Sequence, residues 1–311
     1  MYESAFLTKF KFIRLKGLWI LTLFVFSCRT LPQLTHSNIV DSLPPESNII
    51  MEISVPGNEA LLETIMSRFG IEARDFSNVS ERMERLSIGL EIDSEGRRST
   101  WVPFHIVAIG DWPKALFGKV LGKEWVKSGR NRWLGPAGLE LMLISRRELI
   151  ISSGKLDSML ARIRIASKNM EITSVGITAK SADLAFWLAD PDLIYKILPV
   201  LPVRNFAGDV IVDLVGGVLN KVDDDAYSLD MIVHLLDPHF AESLAFAMRL
   251  GFVSQIGKTF DFLDYAFLAE LDIEAREPEV VISHHSISID LLKNFLSFDF
   301  GLGVTGFDSS N

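Results

Sequence analysis

Residues 210–236 read VIVDLVGGVLNKVDDDAYSLDMIVHLL. Two stretches rich in Val, Ile and Leu flank Asp223-Asp224-Asp225, a run too polar to extend either one. Apolar, β-branched segments bounded by an acidic turn predict a hairpin, with strands Val210–Leu219 and Ala226–Leu236. Side chains alternate across a strand, so Ser228, Asp230, Ile232 and His234 share one face and Tyr227, Leu229, Met231 and Val233 the other. A strand with one polar and one apolar face belongs in an antiparallel sheet.

The same logic extends outward from the hairpin. Asp237-Pro238 predicts a helix start, with Leu250 near its end and Gly251 closing it. Leu268–Ala275 and Val280–Ser288 predict a second hairpin across Glu277-Pro278-Glu279, followed by a helix from Ile289 to Phe298. Upstream, Asp183–Ala189 reads as a strand, and Asp190-Pro191-Asp192 starts a helix ending near Leu198. Residues 49–166 show the same order. A strand at Ile49–Val55 precedes a helix capped by Asn58, whose Leu61, Leu62, Ile65, Met66 and Phe69 form one apolar face. Hairpins follow at Leu86–Ile92 with Trp101–Ile109, and at Gly138–Ile144 with Glu148–Ser152, separated by a short helix from Asp111. A helix from Lys155 to Ile163 ends the set. The predicted fold is therefore α+β, with two duplicated lobes at 49–166 and 167–311. Each is strand–helix–hairpin–helix–hairpin–helix, a mostly antiparallel sheet backed by helices.

Catalytic signatures are sparse. Gly251 to Gly257-Lys258-Thr259 has five residues between its glycines where a phosphate loop needs four, and it follows a helix rather than a strand. Ser152-Ser153-Gly154-Lys155 has the Ser-x-x-Lys spacing of penicillin-binding enzymes, but the companion elements of that family are missing in order. None of the six histidines has a helical His-x-x-x-His partner, so neither a metal nor a cofactor is expected. The one chemical grouping the strands allow is a carboxylate–imidazole pair of His234 with Asp213, near Asp230.

Charge reverses once. Between Trp112 and Trp133 lie Lys114, Lys119, Lys123, Lys127, Arg130 and Arg132 against Glu124 alone. Lys119, Lys123 and Lys127 fall at i, i+4 and i+8, one stripe if the segment is helical. With interleaved Trp112, Phe117, Trp125 and Trp133, this stripe is a candidate contact with an anionic surface.

The N-terminus carries Lys9, Lys11, Arg14 and Lys16, then the apolar run Gly17–Phe26, then Ser27 and the single cysteine, Cys28. A basic region, a core of about ten apolar residues and a small residue before the cut describe a signal peptide. The run is too short to span a bilayer, which takes about 20 apolar residues. Val25-Phe26-Ser27-Cys28 resembles a bacterial lipoprotein signal, and Phe26 resembles the relaxed form found in spirochaetes. That resemblance implies a cleaved signal at 1–27, an acylated Cys28 and attachment to a membrane of the cell envelope on its outer, extracytoplasmic side. Arg29–Asn48, with three prolines, reads as a tether, so residues 28–48 link anchor to fold.

Removing residues 1–27 leaves 27 bases and 39 acids, a net charge of −12, which disfavours nucleic acid as a partner. One cysteine allows no intrachain disulfide. The expected function is a lipid-anchored envelope protein with a non-catalytic binding or scaffolding ectodomain, its partner an envelope protein or polymer. Two alternatives stand beside it. One is an envelope hydrolase using Asp213, Asp230 and His234. The other is a transport-associated protein holding a ligand between its lobes, against Phe186 and Trp187.

Overall fold

The computed structural model describes residues 42–67, 80–92, 102–115, 121, 123, 125–166, 182–197, 201, 204, 208–255 and 265–292, all within the unit Leu34–Asn311. Its strands are β1 Ile49–Ser54, β2 Met83–Leu90, β3 Phe104–Gly110, β4 Val126–Gly129, β5 Arg132–Leu134, β6 Leu139–Leu143, β7 Glu148–Ser153, β8 Leu184–Leu188, β9 Val212–Lys221, β10 Ala226–Leu235, β11 Leu271–Arg276 and β12 Glu279–Ser288. The helices are α1 Glu59–Ser67, α2 Leu156–Ala166, α3 Pro191–Ile197, α4 Ala241–Gln255 and α5 Tyr265–Ala269.

All twelve strands join one sheet, in the order β11-β12-β10-β9-β8-β1-β2-β3-β7-β6-β5-β4, and every pair is antiparallel. An α+β architecture with an antiparallel sheet is thus what forms. It is a single sheet, however, where the element order predicted a sheet for each lobe. β1 and β8 pair at the centre, Ile53 opposite Leu184, and weld the two halves together. Outward from each of them come the second and third strands of that half, then its last and next-to-last.

Register assigns the faces. Ile49 and Ile53 of β1 line up with Leu90 and Leu86 of β2 and with Leu188 and Leu184 of β8. The same face continues through Val215, Met231 and Val233 to Ile282 and Ile273, forming the main core. Helix α4 covers it over β11 and β12, and α3 over β8 and β9. The other face is unusually polar for a buried surface. Glu52, Arg85, Ser87, His105 and Ser152 are all buried there. Glu52 and Arg85 form an ion pair at 2.8 Å.

Several local expectations need correcting. Residues 126–134 form the hairpin β4–β5, turning at Asn131 with φ 62°, rather than part of a helix. Helix α4 runs straight through Gly251 to Gln255, so Gly251 does not close it. Asn58 precedes α1, and its carbonyl accepts the Leu62 N–H, the first bond of the helix. Its side chain does more than a cap requires: it donates to Ser54 O and Asp183 Oδ1 and accepts from the Tyr227 hydroxyl at 2.6 Å. Residues 42–48, read as the end of a tether, are docked on the fold, with Ser42, Leu43 and Ser47 buried. A Cβ on Gly89 would lie 2.6 Å from Ser47 Oγ, so the strand has room for this segment only because that residue is glycine.

Candidate functional site

The densest polar cluster lies where segment 42–48 crosses the polar face. His105 on β3 is fully buried, with Nε2 2.8 Å from Glu91 Oε1 and Nδ1 2.9 Å from Ser152 Oγ. Ser152 lies near the end of β7, and its Oγ accepts the backbone N–H of Lys155. Lys155 Nζ binds Glu91 at 2.7 Å and Glu46, on the docked segment, at 3.4 Å. A neutral imidazole satisfies both contacts when Nε2–H donates to the Glu91 carboxylate and Nδ1 accepts from the Ser152 hydroxyl. Burial lowers the pKa of His105, although the Glu91 contact works the other way. Burial also opposes the charge on Lys155, but Glu91 and Glu46 outweigh it and raise its pKa.

Serine, histidine and glutamate in that sequence of contacts have the order of a nucleophile, its base and an orienting acid. Ser152 and His105 have no exposed surface, so the arrangement as it stands meets no substrate. What it does is join β2, β3, β7, the start of α2 and segment 42–48. The Ser-x-x-Lys spacing flagged two of its members. His105 and Glu91 lie 47 and 61 residues upstream of Ser152, and no spacing rule links them.

The expected pairing of Asp213 with His234 forms, at 2.7 Å. A β-bulge where β9 meets β10 explains it: His234 pairs with Leu214 and Leu235 with Val212, leaving Asp213 as the extra residue. Bulges re-aim side chains in this way. Asp230 does not join them. It accepts from Ser283 Oγ at 2.7 Å, four residues along the strand from His234, a separation of about 13 Å. The pair lies on an open, half-exposed sheet face.

The basic stripe is not a helical row. Lys127 lies on β4, and Lys119 lies outside the described residues. Lys123, Lys127 and Arg130 are exposed, while Arg132 is committed to Glu140 at 2.5 Å and Asp157 at 3.1 Å. Trp112 is buried, and Trp125 and Trp133 pack against the core, so these aromatics serve packing. Phe186 and Trp187 point to opposite faces of β8. The first packs on the main core and the second is buried with Ala182 and Ala185 on the other side, so they line no common cleft. Cys28 lies outside the described residues.

One surface had no warning in the sequence reading. On α4, Ala241, Leu244, Ala245 and Met248 face the core, yet Phe246, Leu250 and Val253 are 61, 55 and 55 % exposed. Their spacing, i, i+4 and i+7, makes a continuous outward apolar stripe. Among the described residues no three His, Cys, Asp or Glu are placed to hold a metal ion, and no helix is long and apolar enough to cross a membrane.

No family model matches this chain, and no curated protein does. Solved structures do. Crystal forms I, III and IV of TP0453, an envelope protein of the spirochaete genus Treponema, match at 13, 14 and 13 % identity with TM-scores of 0.56, 0.52 and 0.53. The matches cover 85, 83 and 83 % of this chain and 98, 96 and 96 % of the other. At that identity the likeness is one of fold: this chain is similar to TP0453 in architecture over nearly all of that protein's length.

Proposed function

We propose that this chain is a lipid-anchored protein of the cell envelope whose ectodomain binds or scaffolds a partner rather than transforming one. The anchor is Cys28, acylated after removal of residues 1–27. Support for it comes from the leader sequence, and from a fold similar to an envelope protein of a spirochaete. Thirteen residues, 29–41, separate that anchor from Ser42, which is packed on the fold. Thirteen residues reach at most about 45 Å when fully extended, so the ectodomain works close to the bilayer.

The observation that carries the binding role is the stripe Phe246, Leu250 and Val253. Three large apolar side chains held outward on one rigid helix cost solubility and contribute nothing to the core. Such a surface suits an envelope protein partner better than a polyanion; of the basic residues of 112–133, Arg132 is already committed to Glu140 and Asp157. We also read the matched strand order on either side of the β1–β8 pair as an internal duplication.

Replacing Cys28 with Ala tests the anchor. The wild type is expected to partition into the detergent-rich phase and the membrane pellet, and the variant to lose that partition while keeping its fold by circular dichroism. A variant that stays membrane-bound and still incorporates labelled palmitate would rule out Cys28 as the attachment site.

A further inference from the structure

We propose that Glu46, Lys155, Glu91, His105 and Ser152 form a proton-operated clasp that holds the anchor-side segment 42–48 to the sheet at neutral pH and lets it go in acid. The consequence for tether length rests on the lipid-anchor reading; the clasp does not.

The segment is held by packing and by a charged latch. Leu43 is buried, Ser47 sits over Gly89, and the Asn48 amide exchanges two hydrogen bonds with the Ile92 backbone. Glu46 reaches Lys155, which also grips Glu91. Gly89 is directly opposite His105 in the β2–β3 register, so Ser47 packs beside the imidazole. Other groups facing His105 belong to β2, β3, β7 and the start of α2: the Glu91 carboxylate, the Ser152 hydroxyl and the Lys155 ammonium. Arg162, further along α2, also acts on Glu46.

A proton on His105 would leave an imidazolium with no exposed surface beside the Lys155 ammonium, with which it shares the Glu91 carboxylate. Hydration would relieve this, and hydration needs one wall of the site to move. Strands in the middle of a twelve-stranded sheet cannot leave without breaking ladders on both sides. Segment 42–48 can, because it lies before β1 and belongs to no ladder.

The sign follows from linkage. With the segment in place, His105 resists protonation; once released to water it titrates near its ordinary pKa of about 6.5. The clasp therefore has its full stability above about pH 6.5 and weakens below. Release would add residues 42–48, about 25 Å of chain at full extension, to the link between Cys28 and the fold.

Amide hydrogen exchange on the full mature chain in detergent micelles reads this directly. After correction for intrinsic exchange, peptides covering 42–48 are expected to lose protection between pH 7.5 and 5.5, while β3 and β7 keep theirs. His105→Gln, which cannot take the proton, should abolish the pH response. Lys155→Met should expose the segment at both pH values, which keeps the test decisive if His105→Gln does not fold. Protection of 42–48 that is flat with pH, an acid response surviving in His105→Gln, or a segment still protected in Lys155→Met would each overturn the clasp. The chain with Cys28→Ala should show the same acid release, so loss of the anchor and loss of the clasp register separately.

Discussion

Arg85→Ala is expected to destabilise the protein by about 3–5 kcal/mol, the usual cost of stripping a buried charge of its partner. The Arg85 and Glu52 side chains are only 10 and 4 % exposed, and their 2.8 Å contact crosses from β2 to β1 at the centre of the sheet. Burial raises the pKa of Glu52 even with Arg85 present, and the guanidinium offsets that only in part. Without it, the carboxylate must stay charged in the interior or take a proton. A carboxyl whose folded pKa lies above its unfolded value favours the fold below that unfolded pKa and loses the benefit as pH rises through the folded one. The deficit of Arg85→Ala should therefore be largest above neutrality and shrink in mild acid. Replacing both partners, as Glu52→Leu with Arg85→Met, is expected to restore most of the lost stability, since apolar groups of similar volume need no counter-charge. Urea midpoints of the three proteins at pH 8 and pH 5 check both statements. An Arg85→Ala midpoint equal to wild type at both would show that the pair is not buried as described.

Leu43→Ala is the second large effect, at about 2–5 kcal/mol for truncating a leucine in a packed site. Leu43 precedes the first strand by six residues and is 1 % exposed, against Gly89 and beneath the path of Ser47. A free linker residue would change stability by no more than about 0.5 kcal/mol, so the outcome separates a docked segment from a tether. Gly89→Ala offers the complementary perturbation. Its Cβ would meet Ser47 Oγ at 2.6 Å and Leu43 Cδ1 at 3.4 Å, pushing the segment off while the leucine itself is kept. A urea midpoint for Leu43→Ala at the wild-type value would mean that segment 42–48 does not pack.

Where strands alternate and turns are charged, the sequence was legible. The hairpin around Asp223–Asp225, the β6–β7 turn at Arg146-Arg147 and the β11–β12 turn at Pro278 all form near their expected boundaries. The strand faces of β10 and the contact between Asp213 and His234 were readable for the same reason. Strand order was not. Whether β1 pairs with β8 or each half closes on itself depends on contacts 131 to 139 residues apart, from Ile53 with Leu184 to Ile49 with Leu188, and local pattern carries no record of them. The hairpin β4–β5 escaped because strands of four and three residues are shorter than any periodicity test. Lys123 and Lys127 happen to repeat at helical spacing, while Gly129 and Asn131 marked the turn. Asn58 stands at the start of α1 as its residue type suggests, but its bonds to Asp183 and Tyr227, residues remote in the chain, were not readable. The His105 cluster draws on Glu46, Glu91, His105, Ser152 and Lys155, which become neighbours only when β2, β3 and β7 lie side by side.

Membrane attachment through one acylated residue is the claim that organises the rest: the short span to Ser42, the ectodomain working near a bilayer and the clasp that sets its reach. Mass spectrometry of the N-terminal peptide from protein purified out of its native membrane measures it most directly. The expected result is a chain beginning at residue 28, with Cys28 carrying a diacylglyceryl thioether and no peptide from residues 1–27. A chain that retains Met1 or starts elsewhere, with Cys28 a free thiol, would contradict it.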